Sequence, residues 1–485
     1  MDTETQEMKG RAMARTYHKK VCLNCDAEFE TLDKHQKFCS RSCGSQYANA
    51  QKKKYYVCQH CGKSFWKDSA YRKPLILQGA RQTGKTYTML ELGRKYYENV
   101  AYFNFESDPS LSKTFDENIS PSYLIPILSR ISKQTIIKEK TLIIFDEIQL
   151  CERALTSLKY FCEEAPEYHI IAAGSLLGVA VNRSQFSFPV GKVDIKTMYP
   201  LDFKEFLLAL NEGNLVELIQ DCFNTYVPMP QVLHKDAMSL YRTYLVVGGM
   251  PEIVSKYVET KDFLLVRHLQ DMILASYLND MSKYNTNNEI KKTRQVYDNI
   301  TVQLSRANTR FQYKLVKKGG RASEFENAIE WLNLSGIVNR IYRADKIMKP
   351  LENYKDIDAF KIYVSDVGLL CAKKNILAED ILYMSDELND FKGGMTENYM
   401  CNQLTFNGYT SYYWESERSA EIDFVIQREG QIVPIEVKAA DNVKAKSLKV
   451  YMEQYKPAYA IKITGKNFGL ENNQKSIPLY AAFCI

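Results

Sequence analysis

No stretch of the sequence is apolar over the roughly 18 to 20 residues that a helix needs to cross a bilayer. The N-terminus carries charged residues and lacks the apolar core of a secretory signal, and the chain has no internal repeat or low-complexity segment. From these absences we expect no membrane span and no secretory signal, and hence a cytoplasmic protein with no membrane partner. The composition is that of globular proteins, with 45% apolar, 25% charged and 12% aromatic residues over 485 positions, a length that suggests about three domains.

The positive charge of the chain is concentrated at its N-terminus. Residues 1–73 contain 15 Lys/Arg and 8 Asp/Glu, whereas the rest of the chain contains 49 Lys/Arg and 50 Asp/Glu. A basic leader on a nearly neutral body indicates contact with a polyanion such as a nucleic acid. A solvated basic tail explains the same pattern equally well, and both interpretations stay open.

Four regions follow from the pattern of the sequence. Residues 1–70 form a Cys-rich leader, and residues 71–200 alternate short β-branched or aromatic runs with helical stretches. This alternation predicts a parallel sheet covered by helices on both faces. Residues 201–350 have a helical texture, and within them 297–343 is compatible with a winged-helix unit, a fold that serves DNA binding and protein docking alike. Residues 351–485 read as a further domain of helices and strands.

The individual elements of the second and fourth regions are predicted from runs of apolar residues. The second region has predicted strands at 74–78, 100–105, 141–145 and 169–173. The fourth region has a predicted helix at 394–406, strands at 410–414, 421–427 and 432–438, a helix at 445–455 and a strand at 458–463.

A phosphate-binding loop connects the first of these strands to a helical run. Its sequence matches G-x-x-x-x-G-K-T, and it lies in the strand–loop–helix context that this motif requires. In such a loop the backbone N–H groups and the positive end of the helix face the phosphates, and the lysine reaches the β- and γ-phosphate oxygens. The residues predicted to bind ATP are Gly79, Ala80, Arg81, Gln82, Thr83, Gly84, Lys85 and Thr86.

Two acidic residues complete the predicted nucleotide site. Asp146 and Glu147 directly follow the apolar run 142–145. Asp146 is predicted to hold Mg²⁺ together with the hydroxyl of Thr86, and Glu147 is predicted to polarise the attacking water. The catalytic candidates for ATP hydrolysis are therefore Glu147, Lys85 and Asp146.

The sequence leaves two further parts of the site open. Ser175 follows another predicted strand, and it is expected either to contact the γ-phosphate or the water, or to cap a helix, with equal weight. Spacing does not assign an arginine finger. The candidates are Arg153, Arg183 and Arg242.

Four segments together resemble one protein family. They are the run Arg72-Lys-Pro-Leu-Ile-Leu-Gln-Gly-Ala-Arg-Gln-Thr-Gly-Lys-Thr, the run Phe145-Asp-Glu-Ile-Gln, the run Tyr244-Leu-Val-Val-Gly-Gly-Met-Pro-Glu and the run Phe360-Lys-Ile-Tyr-Val-Ser-Asp-Val-Gly-Leu-Leu. This combination resembles the prokaryotic AAA-family ATPases that carry a C-terminal domain of unknown function, over essentially residues 72–485. The resemblance implies an AAA-type ATPase core, a helical lid region and a C-terminal domain similar to restriction-endonuclease-fold proteins. Members of this family usually begin with a helix ahead of the segment at Arg72, and here a Cys-rich leader takes its place.

The leader contains the spacing of a zinc site. Half of the twelve cysteines lie within residues 22–61, and in a cytosolic chain such clustering favours metal over disulfides. The pattern C-x₂-C-x₁₃-C-x₃-C places two pairs of cysteines on two turns, so that their four thiolates can coordinate one tetrahedral Zn²⁺ ion. It resembles small zinc-binding modules of prokaryotic and phage proteins, some of which contact DNA, while a purely structural role is the alternative. The predicted zinc ligands are Cys22, Cys25, Cys39 and Cys43.

A second cysteine pair has no partner pair. Cys58 and Cys61 begin a similar module, but no further cysteines follow before the phosphate-binding loop. This pair is therefore at most a half-site. The expected fold class of the chain is α/β, with a P-loop parallel-sheet core, a helical and winged-helix-like middle, a restriction-endonuclease-like C-terminal domain and a small zinc-binding N-terminal module.

Acidic residues of the C-terminal region follow the order of a nuclease site. Glu397 lies on a predicted helix, Asp423 on a strand, and Glu436 and Lys438 lie on one face of the next strand. This order resembles the D-x(n)-E-x-K nuclease superfamily, in which carboxylates bind Mg²⁺ and the lysine orients or deprotonates the nucleophile. A related domain without catalysis is an equal alternative. Glu421 and Gln427 are secondary candidates.

Two functions are compatible with these features. The first is an ATPase that couples nucleotide turnover to a nucleic-acid task, with DNA as the partner. The second is a nucleotide-controlled switch or scaffold that binds a protein partner and has a silent C-terminal domain. The expected cofactors are ATP, Mg²⁺ and Zn²⁺, and the sequence leaves the oligomeric state open.

Overall fold

The computed structural model describes residues 18–21, 28–31, 55–57, 64–66, 72–175, 188–283, 287–306, 309–417, 420–439 and 446–485. The chain divides into two compact units, Met1–Lys73 and Pro74–Ile485. The described part of the first unit consists of two antiparallel hairpins, β1 (His18–Val21) with β2 (Glu28–Thr31) and β3 (Tyr55–Val57) with β4 (Ser64–Trp66). The cysteines assigned to zinc, and the half-site pair, lie outside the described residues: Cys22, Cys25, Cys39, Cys43, Cys58 and Cys61.

The second unit begins with a five-stranded parallel sheet. Its strands are β5 (Leu75–Gln78), β6 (Asn99–Asn104), β7 (Thr141–Asp146), β8 (His169–Gly174) and β9 (Asp194–Thr197), in the order β6-β7-β8-β5-β9. All four neighbouring pairs are parallel, and every residue of β7 and β8 is buried, as expected for a sheet with both faces covered. The four strands predicted from the sequence are confirmed to within one residue.

Helices cover this sheet and enclose its apolar core. They are α1 (Lys85–Tyr96), α2 (Leu111–Glu117), α3 (Pro121–Ser132) and α4 (Glu152–Glu164), and a short 3₁₀ helix (Ile148–Leu150) follows β7. Phe105, Phe115 and Phe145 meet in the core, with ring centroids 5.6 to 5.9 Å apart. The core therefore fixes the carboxyl end of β7, where the predicted acidic residues follow.

The middle of the chain is helical. The helices are α5 (Phe203–Ala209), α6 (Gly213–Thr225), α7 (Gln231–Val247), α8 (Pro251–Thr260), α9 (Phe263–Lys283), α10 (Asn287–Leu304), α11 (Tyr313–Val316) and α12 (Ala322–Leu334). Helix α5 begins at a capping box, in which Asp202 accepts from the Glu205 N–H and Glu205 accepts from the Asp202 N–H. In the described part of the chain no helix is both long and apolar enough to cross a membrane.

The C-terminal part is built on a mixed eight-stranded sheet with the order β11-β10-β12-β13-β14-β15-β17-β16. Its strands are β10 (Val338–Ala344), β11 (Lys355–Val364), β12 (Tyr412–Glu415), β13 (Glu421–Arg428), β14 (Gln431–Val437), β15 (Ala460–Thr464), β16 (Gly469–Glu471) and β17 (Gln474–Pro478). The helices are α13 (Val367–Lys373), α14 (Ala378–Tyr383), α15 (Asn389–Phe406) and α16 (Lys446–Tyr455), with 3₁₀ turns at Leu351–Tyr354, Asp386–Leu388 and Leu479–Cys484. The predicted order of elements is confirmed, although α15 begins five residues earlier than predicted.

The structure places the strand of the winged-helix-like segment in the C-terminal sheet. Strand β10 pairs antiparallel with β11 and parallel with β12. A domain boundary at residue 350 would therefore separate β10 from both of its hydrogen-bonded neighbours. The sheet begins before residue 350, and sequence patterns did not show this because β10 reaches its partner β12 only through long-range pairing.

A glycine-rich corner connects the helical middle to the C-terminal part. Gly248 and Gly249 end helix α7, and the Gly249 N–H donates to Oδ2 of the buried Asp366 at 2.7 Å. A side-chain carbon at Gly248 would lie 2.3 Å from Oδ1 of Asp366, and one at Gly368 would lie 2.6 Å from the Gly248 nitrogen. Only glycines allow this close approach of the two segments.

Candidate functional site

The phosphate-binding loop has the backbone that its glycines permit. Gly79 has φ 136°, and a side-chain carbon there would lie 2.1 Å from the Met198 carbonyl oxygen. Gly84 has φ 83° and directly precedes helix α1, so the loop turns into the helix N-terminus. The loop therefore presents N–H groups at a helix start, which is the geometry that binds phosphate.

Lys85 is folded into the loop. Its ammonium donates to the Gly79 carbonyl at 3.0 Å and to the Ala80 carbonyl at 2.6 Å, and the residue is only 7% exposed. Burial lowers the pKa of Lys85 to about 8, although the nearby Glu147 and Asp146 favour its charged form. Its partners are thus neutral carbonyls, and phosphate oxygens would offer the ammonium a stronger interaction.

Thr86 and Asp146 meet at the carboxyl edge of the sheet. The Thr86 hydroxyl donates to Oδ2 of Asp146 at 2.7 Å. Strand β8 lies between β5 and β7, so the phosphate-binding loop and the acidic strand end meet across an intervening strand. A hydroxyl and a carboxylate oxygen are ligands that Mg²⁺ accepts, and these two residues fit the predicted role.

Tyr102 is a residue of this site that the sequence interpretation missed. Its hydroxyl donates to the same Oδ2 of Asp146 at 2.8 Å, and it accepts from the Asn104 amide at 3.2 Å. Burial, together with Asp146, raises the pKa of Tyr102 to about 12. Tyr102 lies on β6, the strand that pairs with β7, and it is two residues before Asn104, which lies opposite Asp146. A polar aromatic residue at this position was the signal available in the sequence.

Glu147 has an unusual backbone and a defined partner. Its φ is 52°, in the left-handed region that non-glycine residues seldom adopt and that is frequent at functional sites. The Gln149 amide donates to Oε2 of Glu147 at 2.5 Å. Burial raises the pKa of Glu147, and this makes its carboxylate a better proton acceptor than an ordinary surface glutamate.

The structure describes two of the three candidate arginine fingers. Arg153 donates to the Phe115 carbonyl at 2.7 Å, and Arg242 lies 3.5 Å from the Leu382 carbonyl, so both hold the fold together. Arg183 lies outside the described residues. A different arginine belongs to the loop itself, since Arg81 pairs with the buried Asp280 of helix α9 at 3.0 Å.

Ser175 lies at the end of β8, between the loop strand and the acidic strand. It is 4% exposed, and its hydroxyl has no hydrogen-bond partner among the described residues. A buried hydroxyl without a partner is costly, so its position favours a hydrogen bond to a bound ligand. Whether it contacts the γ-phosphate stays a prediction.

The C-terminal carboxylates form a second cluster. Lys438 pairs with Glu436 at 2.7 Å and lies 4.0 Å from Asp423, whose Oδ2 also accepts from the Val437 N–H at 2.7 Å. Burial raises the pKa of Asp423 well above its usual value, and the neighbouring Glu397 and Glu436 raise it further. The structure thus brings together the four predicted residues, Glu397, Asp423, Glu436 and Lys438.

A buried lysine that the sequence interpretation missed completes this cluster. Lys361 on β11 is 0% exposed, forms an ion pair with Glu421 and lies 3.5 Å from Oε2 of Glu397. The Tyr363 hydroxyl donates to the same oxygen at 2.8 Å. Burial alone would lower the pKa of Lys361, but the three carboxylates of Glu397, Glu421 and Asp423 outweigh it and raise the pKa. A single charged residue in the apolar run 359–364 was the available signal.

Lys361 and Lys438 therefore already form ion pairs with carboxylates of this cluster, those of Glu421 and Glu436. Within the described ranges, no group of three or more His, Cys, Asp or Glu side chains is arranged to hold a metal ion. Gln427, a secondary candidate, accepts from the Leu351 N–H at 3.0 Å and so connects β13 to a 3₁₀ turn. The metal-binding role of Glu397, Asp423 and Glu436 stays a prediction.

Three family models match separate segments of the chain. Residues 71–207 match the AAA domain, residues 238–380 match a domain of unknown function (DUF8612), and residues 392–482 match a domain of unknown function (DUF4143). The chain thus carries an AAA-type ATPase domain followed by a C-terminal domain of unknown function. No curated protein matches the chain.

Solved structures with partial similarity include three archaeal proteins. A Walker-type ATPase of Pyrococcus abyssi is 12% identical, with a TM-score of 0.39, over 63% of this chain and 92% of its own. The ORC2 protein of Aeropyrum pernix is 13% identical, with a TM-score of 0.28, over 65% and 89%. Cdc6p of Pyrobaculum aerophilum is 11% identical, with a TM-score of 0.21, over 64% and 88%.

Proposed function

We propose that this protein is a Mg²⁺-dependent ATPase. The observation that carries the proposal is the hydrogen bond between Thr86 and Asp146, because it joins the phosphate-binding loop to the acidic strand end across strand β8. The AAA-domain match over residues 71–207 supports the same activity.

Each residue of the site has a role in this proposal. The loop 79–86 binds the triphosphate through its N–H groups, and Lys85 leaves the Gly79 and Ala80 carbonyls to pair with phosphate oxygens. Thr86 and Asp146 would hold Mg²⁺, which would neutralise charge on the phosphates. Glu147 accepts the proton of the attacking water, and Gln149 orients its carboxylate.

We further propose that ATP turnover serves a nucleic-acid task. The support is the basic balance of residues 1–73. The test is the rate of ATP hydrolysis by the full chain with no DNA and with single-stranded, double-stranded or branched DNA. We expect at least one DNA form to stimulate the rate, and Glu147→Gln to abolish hydrolysis with and without DNA. Hydrolysis that no DNA form changes would contradict the nucleic-acid task and leave the ATPase assignment intact.

A nucleotide-controlled switch is the second candidate function. Later parts of the chain lie close to the phosphate-binding loop. A side-chain carbon added at Gly84 would be 3.5 Å from Pro251, and one added at Gly336 would be 3.0 Å from the Ala80 nitrogen. The pairing of Arg81 with Asp280 adds a charged connection to helix α9. A change in the loop on ATP binding would therefore reach the helical middle and the C-terminal sheet. ATP-dependent binding of a protein partner, with hydrolysis unaffected by nucleic acid, would favour this function.

The C-terminal cluster is a candidate for phosphodiester chemistry. Its support is the convergence of Asp423, Glu436 and Lys438 in one buried cluster. Incubation of the full chain with DNA or RNA and added Mg²⁺ or Mn²⁺ tests this. Cleavage that is lost in both Asp423→Ala and Lys438→Ala, with ATP turnover intact, would support a nuclease, and absence of cleavage would favour a structural domain.

We also propose that Cys22, Cys25, Cys39 and Cys43 bind one Zn²⁺ ion, and that Cys58 and Cys61 add at most a weak second site. Elemental analysis of the purified full chain should give about one zinc per chain. Cys22→Ser combined with Cys25→Ser should remove it, whereas Cys58→Ser should not.

A further inference from the structure

A cavity of about 390 Å³ lies beside the phosphate-binding loop, within the unit Pro74–Ile485. Its walls come from two parts of the chain that are far apart in sequence. One wall is formed by the ends of β5, β8 and β9 with the first loop residues Gly79 and Ala80. The other is formed by Asn333, Leu334, Gly336, Val338, Asn339 and Ser365. Cavities of this size are typical of small-molecule sites.

Two buried hydroxyls line this cavity without a protein partner. Ser175 and Ser365 are each 4% exposed, and neither hydroxyl forms a hydrogen bond to any described residue. Buried hydroxyl groups are nearly always paired, because an unpaired one loses its hydration without compensation. Two such groups, from opposite walls of one cavity, indicate a ligand that bonds to both.

The remaining polar lining consists of neutral groups. Gln78, Asn333 and Asn339 contribute amides, and Thr197 contributes a hydroxyl that accepts from the Gln78 amide at 3.2 Å. None of the described lining residues is charged. A buried anion such as phosphate or carboxylate would lack a cation here, so the lining selects an uncharged ligand.

Aromatic side chains also line the cavity. Tyr199 lines the cavity, is 36% exposed and stands with its ring centroid 5.2 Å from that of Phe406. Phe188 lines it as well. Amide side chains that read hydrogen-bonding edges, next to aromatic rings that stack on a flat face, are the means by which proteins recognise nucleobases.

We propose that this cavity binds a nucleoside through its base, at a site that shares Gly79 and Ala80 with the phosphate-binding loop but is distinct from the site of the ATP phosphates. The loop residues Arg81 to Thr86 do not line the cavity, and neither do Asp146 and Glu147. This proposal goes beyond the ATPase function and does not depend on it. Gly79 and Ala80 belong to one wall, and a side-chain carbon added at Gly336 would lie 3.0 Å from the Ala80 nitrogen. A ligand in the cavity would therefore contact the first residues of the phosphate-binding loop.

Calorimetric titration of the full chain tests the proposal. Adenosine, guanosine, cytidine and uridine are titrated separately, in the presence of a saturating non-hydrolysable ATP analogue and again without it. We expect at least one nucleoside to bind under both conditions. No binding of any nucleoside at millimolar concentration would overturn the proposal. Binding that the ATP analogue abolishes would also overturn it, because the cavity would then belong to the ATP site.

Two serine variants locate the binding. Ser365→Ala removes one unpaired hydroxyl and should weaken nucleoside binding about threefold to tenfold, the usual effect of one neutral hydrogen bond. Ser335→Ala is the matched control, because this buried serine lies in the same corner but donates to the Leu332 carbonyl at 2.9 Å and does not line the cavity. Unchanged binding in Ser365→Ala, with thermal melting equal to that of the parent chain, would place the nucleoside elsewhere. The ATP-site proposal would be unaffected by that result.

Discussion

Thr86 and Asp146 are 60 residues apart in the sequence and are joined by a 2.7 Å hydrogen bond. The contact exists because their strands are parallel, so the loop after β5 and the end of β7 reach the same edge of the sheet. The same edge carries Ser175 at the end of β8. Three predicted residues from separate segments thus lie along one edge of the sheet, and two of them are in direct contact.

Lys85→Ala should lose measurable ATP binding. The variant removes the one ammonium that the loop holds in place through the Gly79 and Ala80 carbonyls, and backbone N–H groups alone cannot replace a charge-assisted contact to phosphate. Fluorescent-nucleotide titration measures the dissociation constant. Lys95→Ala, at the exposed end of the same helix, is the control and should bind like the parent chain. Equal affinity in Lys85→Ala would contradict the assignment of the loop.

Glu147→Gln should bind ATP normally but hydrolyse it at least about 100-fold more slowly, the usual contribution of a general base. The amide keeps the shape of the side chain, but it cannot accept the proton of water. Rapid filtration after a single addition of ATP should show retained, uncleaved nucleotide. A variant with the turnover of the parent chain would assign water activation to another residue.

Tyr102→Phe should raise the Mg²⁺ concentration needed for half-maximal ATP hydrolysis by about tenfold, as is common for residues that orient a metal ligand. The phenol donates to the Asp146 oxygen that also accepts from Thr86, so its loss frees that carboxylate to rotate. Tyr87→Phe is the matched control, because Tyr87 is 67% exposed on helix α1. An identical Mg²⁺ dependence in both variants would make the Tyr102 contact irrelevant to metal binding.

Lys361→Met should destabilise the chain by about 3 to 5 kcal/mol, because it leaves the carboxylates of Glu397 and Glu421 buried without their cation. Urea denaturation followed by fluorescence measures the change. Lys449→Met is the contrasting control, since Lys449 and its partner Glu453 are 78% and 68% exposed, and such pairs contribute little. Similar stability of both variants would show that the buried cluster does not depend on Lys361.

Asp366 should make stability depend on pH. Burial raises its pKa to about 6, although the Gly249, Leu369 and Gly368 N–H groups oppose the shift. A carboxyl group with a raised folded-state pKa binds its proton more tightly in the native state. Its contribution to stability is therefore complete below the unfolded pKa of about 4 and is lost as the pH rises through about 6.

The measurement compares the parent chain with Asp366→Asn, which cannot titrate. The difference in unfolding free energy, parent minus variant, should be about 1 kcal/mol larger at pH 5 than at pH 7. A difference independent of pH would mean that Asp366 stays ionised throughout this range.

The sequence by itself determined the phosphate-binding motif and the strands that flank it, and from these it predicted the nucleotide site. The loop 79–86 is local, since its glycines, lysine and threonine are consecutive, and the apolar run before Asp146 identifies a buried strand without knowledge of its neighbours. The strand predictions in the ATPase region agree with the structure to within one residue for the same reason. The pattern of apolar residues and a short motif depend only on residues that are close together in the sequence, so both can be recognised without the structure.

Only the tertiary structure decided which distant residues meet. Tyr102 reaches Asp146 because β6 pairs with β7, and Lys361 enters the acidic cluster because β11 lies in the same sheet as β13 and β14. Strand β10 joins the C-terminal sheet through the same kind of long-range pairing. Ser175 and Ser365 line one cavity from opposite walls, although 190 positions separate them. Strand order and packing between layers depend on the whole chain, so no local pattern of residues encodes these contacts.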